Sequence, residues 1–349
     1  MGATLKTVAE AAGVSVSTVS NAYNKPEQLS ADLRDRILKI SRELGYAGPN
    51  AAARSLRSAR AAAIGLLFTE KLSYAFSDPY SVGMLAGLSE IVERTRTGLL
   101  LIPLPERALG DTDPQALVDS AETARKAVVD GIVAYCVEED HPALDVLMQR
   151  GLPLVKGWDA DDSPCVFIDE TCAARLVGEH ISRLGHQNVA VVVDSTPDGP
   201  ARAVADTDPG RTARLRLKGY RQGLGPDVRV TVVAGGHNAV ESGRRAAEFV
   251  LDQRDRPTAI LTTGDVLAFG VLAALRQRGL TPGRDISVAG FDDLPAAEAA
   301  GLTTVHQPIA EKGRLLGRML LDPDFSETRV VLPTELVVRS TTGPVPARN

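Results

Sequence analysis

From Ala61 onward the chain alternates short, fully apolar runs with stretches whose apolar residues recur at helical spacing, and few architectures accommodate that rhythm. Ala63-Ile64-Gly65-Leu66-Leu67-Phe68 is one such run, and residues 99–104, 131–135 and 189–193 are others. Runs apolar on both faces suit strands of a buried parallel sheet, with the helical stretches between them as crossovers. The segment is too long for one sheet unit, so two α/β lobes are expected. One irregular stretch, residues 194–212, is rich in Pro, Asp and Gly and is a candidate mobile loop.

The first 45 residues have a different texture. Leu5, Val8, Ala9 and Ala12 fall on one helical face behind the N-cap candidate Thr4, and Gly13-Val14-Ser15 breaks the pattern. Ser15 caps a second helix through about Asn24, with Pro26 just beyond it. A third helix follows Ser30, carries Leu33, Ile37, Ile40 and Leu44, and stops at Gly45. A helix-turn-helix needs a small residue at the helix contact, a positive φ in the turn and a packing residue between the helices; Ala9, Gly13 and Val19 meet these needs. The spacing alone also describes any amphipathic helical hairpin.

Charge separates the two regions. Residues 1–60 hold nine basic side chains against five acidic ones, a balance of +4 in a chain whose net charge is -5, so a basic head precedes an acidic body. Such asymmetry is one footprint of nucleic-acid binding. The three cysteines, Cys136, Cys165 and Cys172, have no metal-ligand spacing and suit reduced thiols of a cytoplasmic protein. The opening residues lack the pattern of a secretory leader and no apolar run reaches membrane length, so neither secretion nor membrane insertion is expected. An enzyme finds no support, because Gly-x-Ser-x-Gly, a P-loop, a Gly-x-Gly-x-x-Gly after a strand and a His-rich metal cluster are all missing. No cofactor and no metal are expected. A transport receptor would carry a signal peptide where this chain has its helical head.

Residues 7–15 (Thr-Val-Ala-Glu-Ala-Ala-Gly-Val-Ser), Thr18-Val19-Ser20 and Leu44-Gly45-Tyr46 resemble the N-terminal module of the lac repressor family, and Pro49-Asn50-Ala51-Ala52-Ala53-Arg54-Ser55-Leu56 resembles its hinge. The resemblance continues through Asp130-Gly131-Ile132-Val133, Leu184-Gly185-His186, Gly219-Tyr220, Gly290-Phe291-Asp292-Asp293 and Leu302-Thr303-Thr304-Val305. It implies an all-α helix-turn-helix module joined to an α/β two-lobed, periplasmic-binding-protein-like (Rossmann-like) effector domain. The domains are then residues 1–48, a hinge over 49–60, and the effector and dimerisation domain over 61–349. Lobe 1 takes about 61–165 and 307–325, lobe 2 about 166–306 and 326–342, with crossings near Cys165, His306 and Ser326. The implied function is a cytoplasmic transcriptional regulator, a repressor in the family manner, that binds a pseudo-palindromic double-stranded operator as a homodimer under control of a small-molecule effector. No membrane partner is implied.

Val16, Ser17 and Asn21 fall on the first turns of the recognition helix, where side chains reach major-groove edges; an Asn suits adenine and a Val the thymine methyl. By resemblance, Thr18, Ser20, Asn24 and Ser30 are phosphate-contact candidates, with helix packing or capping the alternative for Thr18 and Ser30. Leu5, Asn50, Ala53 and Arg54 complete the DNA-facing set, and Leu56 is the residue that the family wedges into a minor-groove step. Gly48 stands as an extra residue before the Pro-Asn pair.

For the effector, the resemblance points to Arg216, a forked guanidinium suited to hydroxyl pairs or a carboxylate, and to Asp292 as a hydroxyl acceptor. An internal ion pair for Arg216 and a turn cap for Asp292 are the alternatives. Asp78, Asp265 and Trp158 are further candidates, although an isolated Trp is more often core. Thr263-Gly264-Asp265 replaces the family's common Ala-Asn-Asp, so an amide that often meets sugar is missing, and a simple galactoside or glucoside is not the expected effector. Past Arg339 no leucine heptad is present, so no coiled-coil tetramer is expected.

Overall fold

The computed structural model describes residues 3–48, 60–68, 72–104, 114–135, 137–194, 199–206 and 209–346. The chain divides into two compact units, Met1–Ala62 and Ala63–Asn349.

The first unit is three helices, α1 (Leu5–Ala12), α2 (Val16–Asn24) and α3 (Ala31–Glu43), with a 3-10 turn at Pro26–Gln28. Each helix starts where the caps predict: Thr4, Ser15 and Ser30 accept hydrogen bonds from the backbone N–H of Thr7, Thr18 and Leu33. Gly13 ends α1 at φ 65 and its N–H reaches Ala9 and Glu10, so the turn takes the left-handed conformation that glycine adopts without penalty. Val8, Ala9, Ala12, Val19, Ala22 and Ile37 form the core. The extra Gly48 also has a positive φ, 103, and a side chain there would meet the Tyr23 ring at 3.2 Å. That residue is therefore a glycine for two reasons at once.

The second unit carries two sheets. The first runs β12-β5-β4-β3-β1-β2 and is parallel throughout; its strands are β1 (Ala63–Phe68), β2 (Gly98–Pro103), β3 (Ile132–Ala134), β4 (Leu154–Lys156), β5 (Cys165–Ile168) and β12 (Arg329–Leu332). The second runs β10-β9-β6-β8-β7, built from β6 (Asn188–Val193), β7 (Arg202–Ala203), β8 (Arg229–Ala234), β9 (Ala259–Thr262) and β10 (Ser287–Ala289). Its edge strand β7 is antiparallel and lies within the irregular stretch 194–212. An antiparallel ribbon of β11 (Thr304–His306) and β13 (Glu335–Val337) completes the unit. The expected alternation of apolar strand and crossover helix is thus present in both lobes.

The lobe limits need correction. Strand β5 pairs with β4 and β12 pairs with β5, so 166–168 and 329–332 belong to the first lobe, not the second. The chain crosses near Asp169, near Gln307 and at Pro333–Thr334 rather than at Ser326. Only beyond β12 does the chain return to the second lobe, where Thr341 N–H donates to Gly301 O and its carbonyl accepts from Val288. Close helix contact fixes the lobes internally. In the first, a Cβ at Gly87 would sit 1.9 Å from the Ala310 carbonyl oxygen, so the helices Pro79–Arg94 and Ile309–Leu321 touch backbone to backbone there. Of the cysteines, Cys165 is buried and Cys172 exposed, both free thiols, and Cys136 lies outside the described residues.

Candidate functional site

In the first unit, the start of α2 presents a polar face. Val16 is 46% exposed at the first helical position. The Ser15 hydroxyl lies 2.7 Å from both the Ser17 and the Thr18 hydroxyls, so the cap also orders two of its neighbours. Asn21 donates from Nδ2 to Gln28 Oε1 at 3.1 Å, and Asn24 donates to Ser20 Oγ at 3.1 Å. Ser30 is the cap of α3, which supports the capping alternative for that residue. The Leu5 side chain packs on the module's core, leaving the outward amides of the α1 N-terminus as what this position can offer a phosphate. Asn50, Ala53, Arg54 and Leu56 lie outside the described residues.

The second unit holds a cavity of about 270 Å³ between its lobes, just past the carboxyl ends of the strands of both sheets. Ligands of open α/β sheets bind at that end, because there the loops diverge and helix N-termini point inward. The first lobe contributes Tyr74, Asp78, Tyr80, Tyr135, Glu138 and Lys312; the second contributes Asp194, Arg211, Arg216, Asn238, Thr263, Gly264 and Asp292. Tyr80 and Tyr135 stack with centroids 5.7 Å apart and planes within 6°. Hydrogen bonds that cross from lobe to lobe include Asn238 Nδ2 donating to the Tyr74 hydroxyl at 2.9 Å, the Arg211 backbone N–H donating to Glu138 at 3.2 Å and Arg211 Nη2 donating to the Asp159 carbonyl at 3.1 Å.

Arg216 is the hub of the second lobe's wall. It donates from Nε to Glu170 at 2.7 Å, from Nη1 to Asp292 at 3.3 Å and to the Thr263 carbonyl, while its guanidinium lies 3.7 Å over the Phe291 ring. Burial alone would lower its pKa, yet Glu170 and Asp292 outweigh that effect and the net displacement is upward. The expected cleft position is therefore present together with the internal ion pair that was its alternative. Asp292 has φ 119, a conformation rare for a residue with a side chain, and is held there by its N–H to Val305 and by Gln307 Nε2 donating to Oδ1 at 2.6 Å. Burial pushes its carboxyl well above the usual carboxylate range, against the pull of Arg216.

Two expected effector residues do not line this cavity. Asp265 is fully buried beneath it, where its carboxylate accepts from the Leu294 N–H at 2.8 Å and the Thr304 hydroxyl at 2.7 Å. It holds the turn that carries Asp292; a Cβ at Gly290 would come within 2.1 Å of its Oδ1, so that turn must approach bare. Burial pushes the Asp265 pKa up to about 7. Trp158 belongs to the core of the first lobe and to a neighbouring cavity of about 540 Å³ that shares Gly157, Glu170 and Arg211 with the first, with the Lys156 ammonium 5.8 Å from its ring. Asp78 is where expected: it caps the helix Pro79–Arg94 and faces the cavity. Sequence reasoning missed Asn238, Tyr74 and Gln307, none of which stands in a recognisable motif. Among the described residues no cluster of His, Cys, Asp or Glu could hold a metal ion, and no helix is long and apolar enough to cross a membrane.

Residues 4–50 match the bacterial regulatory proteins of the lacI family, and residues 179–342 match the periplasmic binding protein-like domain. An HTH-type transcriptional regulator of Mycolicibacterium smegmatis is 39% identical over 98% of this chain and 97% of its own length. The HTH-type transcriptional regulator IpsA of Corynebacterium glutamicum is 36% identical over 98% of this chain and 97% of its own length. Among solved structures, a lacI-family regulator from Corynebacterium glutamicum superposes with a TM-score of 0.70 at 31% identity, covering 97% of this chain and 98% of that one. The lac repressor dimer bound to operator and an anti-inducer superposes at 0.75 with 25% identity, covering 98% and 99%. With a helix-turn-helix head, a two-lobed body and full-length relatives that are transcriptional regulators, the chain belongs to the lacI family of DNA-binding transcriptional regulators.

Proposed function

We propose that this regulator acts in the cytoplasm as a homodimeric repressor, reading a pseudo-palindromic operator with its paired α2 helices and responding to a small molecule held in the cavity between the lobes. The observation that carries the reading is that one cavity is lined from both lobes by Asp78, Arg216 and Asp292 in a chain whose head is a capped, exposed recognition helix. A ligand that touches both lobes favours one lobe angle, and a two-fold dimer converts that angle into a spacing between its reading heads. Residues 50–56 are the segment that would order on the operator, with Leu56 as the minor-groove wedge and Arg54 beside the phosphates. In the module, Val16, Ser17 and Asn21 read bases, while Leu5, Thr18, Ser20, Asn24 and Ser30 position the helix, joined by Asn50 and Ala53 at the hinge.

A related regulator has been solved as a complex with cellobiose, which supports a carbohydrate-like effector for this chain. The test combines operator titration by fluorescence anisotropy with light scattering. A dimer that binds a palindrome and loses affinity when one half-site is scrambled supports the reading; a monomer, or equal affinity for random DNA, refutes it. Arg216→Ala is a poor probe, because it would leave Glu170 and Asp292 as buried unpaired charges and cost on the order of 3–5 kcal/mol of stability. Asp78 offers a cleaner change.

A further inference from the structure

Polar side chains at the start and end of α2 bond to one another along the helix: Ser15 to Ser17 and Thr18, and Asn24 to Ser20. Asn21 does not. Its Nδ2 donates to Gln28 Oε1 at 3.1 Å, seven residues on and outside the helix, in the 3-10 turn Pro26–Gln28. The backbone that carries this acceptor is itself fixed. Pro26 opens the turn with its restricted φ, the Gln28 N–H donates to Lys25 O at 3.0 Å, and the Leu29 N–H donates to Pro26 O at 3.2 Å. Directly behind, Leu29 packs on the core of the module and Ser30 caps α3. Asn21 lies half-buried on α2, four residues after Ser17 and on the same face.

A carboxamide can show a base pair two different patterns. Adenine in the major groove offers an acceptor at N7 and a donor at N6, and matches an amide that presents Oδ1 together with the N–H beside it. Guanine offers two acceptors, N7 and O6, and matches an amide turned over to present its two N–H groups. Rotation about the last bond of the Asn side chain converts one pattern into the other, and that torsion is broad and roughly two-fold in a free side chain. An acceptor at Gln28 takes the far N–H and leaves Oδ1 and the adjacent N–H for the groove. The amide is then set before DNA arrives, so less rotamer freedom is lost on binding.

We propose that Gln28 is a positioning residue of the DNA-reading head that determines specificity: it accepts from Asn21, turns that amide to the adenine pattern and so excludes guanine at the same operator position. This rests on Asn21 reading a base.

The test selects binding sites from a random-sequence duplex library with the full chain. Fluorescence anisotropy then compares the selected operator with copies altered at the base pair that Asn21→Ala relaxes. In wild type that base should be adenine, favoured over guanine by roughly 5- to 150-fold. Gln28→Leu keeps an exposed side chain of similar bulk without an acceptor, and should lower the adenine-to-guanine ratio by about threefold or more. Gln28→Glu keeps only acceptors and should hold the ratio within about twofold of wild type, while its added negative charge weakens every duplex alike. In the Asn21→Ala background, Gln28→Leu should alter no ratio, because a positioning residue acts only through the group it positions. An unchanged ratio in Gln28→Leu, a lost ratio in Gln28→Glu, or a base other than adenine at the Asn21 position overturns the proposal. So does an effect of Gln28→Leu that persists without Asn21 or falls at another operator position, since Gln28 would then touch DNA itself. Two failures are distinguishable: a wild type that enriches no site brings down the DNA-reading function and this inference together, whereas a selected operator whose ratio ignores Gln28→Leu brings down this inference alone.

Discussion

A carboxyl buried as deeply as Asp265 titrates where its surroundings dictate. Its pKa, pushed up to about 7 by burial, lies above the ordinary value of 3.8 that it regains on unfolding, so the folded state binds its proton more tightly. The stabilising contribution is therefore complete below about pH 3.8 and lost as pH rises through 7. His180 and His186 are shifted down by burial and act in the opposite sense, losing stability as pH falls. The difference between proteins isolates the carboxyl: the melting temperature of wild type relative to Asp265→Asn should decline from pH 5 to pH 8 in calorimetry, and a flat difference would place the proton elsewhere. Residues of this kind mark the limit of sequence reading. The position of Asp265 after a strand revealed which end of the sheet it occupies but not whether it faces the cavity or lies beneath it. Arg216 and Asp292 were legible because each sits in a recognisable run; Asn238 sits in a loop without period or motif, and only the fold brings it to Gly264.

At the scale of elements, caps did most of the local specification. Thr4, Ser15 and Ser30 all accept from the amide three residues on, as their residue types foretold. Ser15 has the added duty of ordering Ser17 and Thr18, so Ser15→Ala should cost the module about 1 kcal/mol, within a usual span of roughly 0.5–2, and should weaken operator binding further than the stability loss explains. Thermal melts and operator titrations of the same variant check both parts; unchanged binding would free the hydroxyl cluster of any reading role. The paired helices and inner strands were equally legible, since a buried strand is apolar on both faces. Strand β12 was not. Its residues alternate between exposure and burial at the sheet edge, with Val331 open to solvent, so nothing in the sequence assigned it to the first lobe.

On the scale of the whole molecule, the acidic body and basic head are separate folding units, and the division at Ala62 agrees with the change of texture in the sequence. The body is a different matter, because both lobes are assembled from distant pieces. The helix Ile309–Leu321 and strand β12 complete the first lobe, and the segment around Thr341 is bonded into the second through Val288 and Gly301. Truncation after residue 326 should therefore abolish the cooperative melt of both lobes while leaving that of the helical module, and calorimetry that retained a lobe transition would contradict the topology. In biosynthesis the same stitching sets a schedule. At roughly 5–20 residues per second, the interval between emergence of the reading head and synthesis of the last stitch is on the order of 15–60 s. Throughout that interval each nascent chain carries a finished DNA-reading module without a finished sensor, so a growing polypeptide on its ribosome can touch DNA before it can be told to let go.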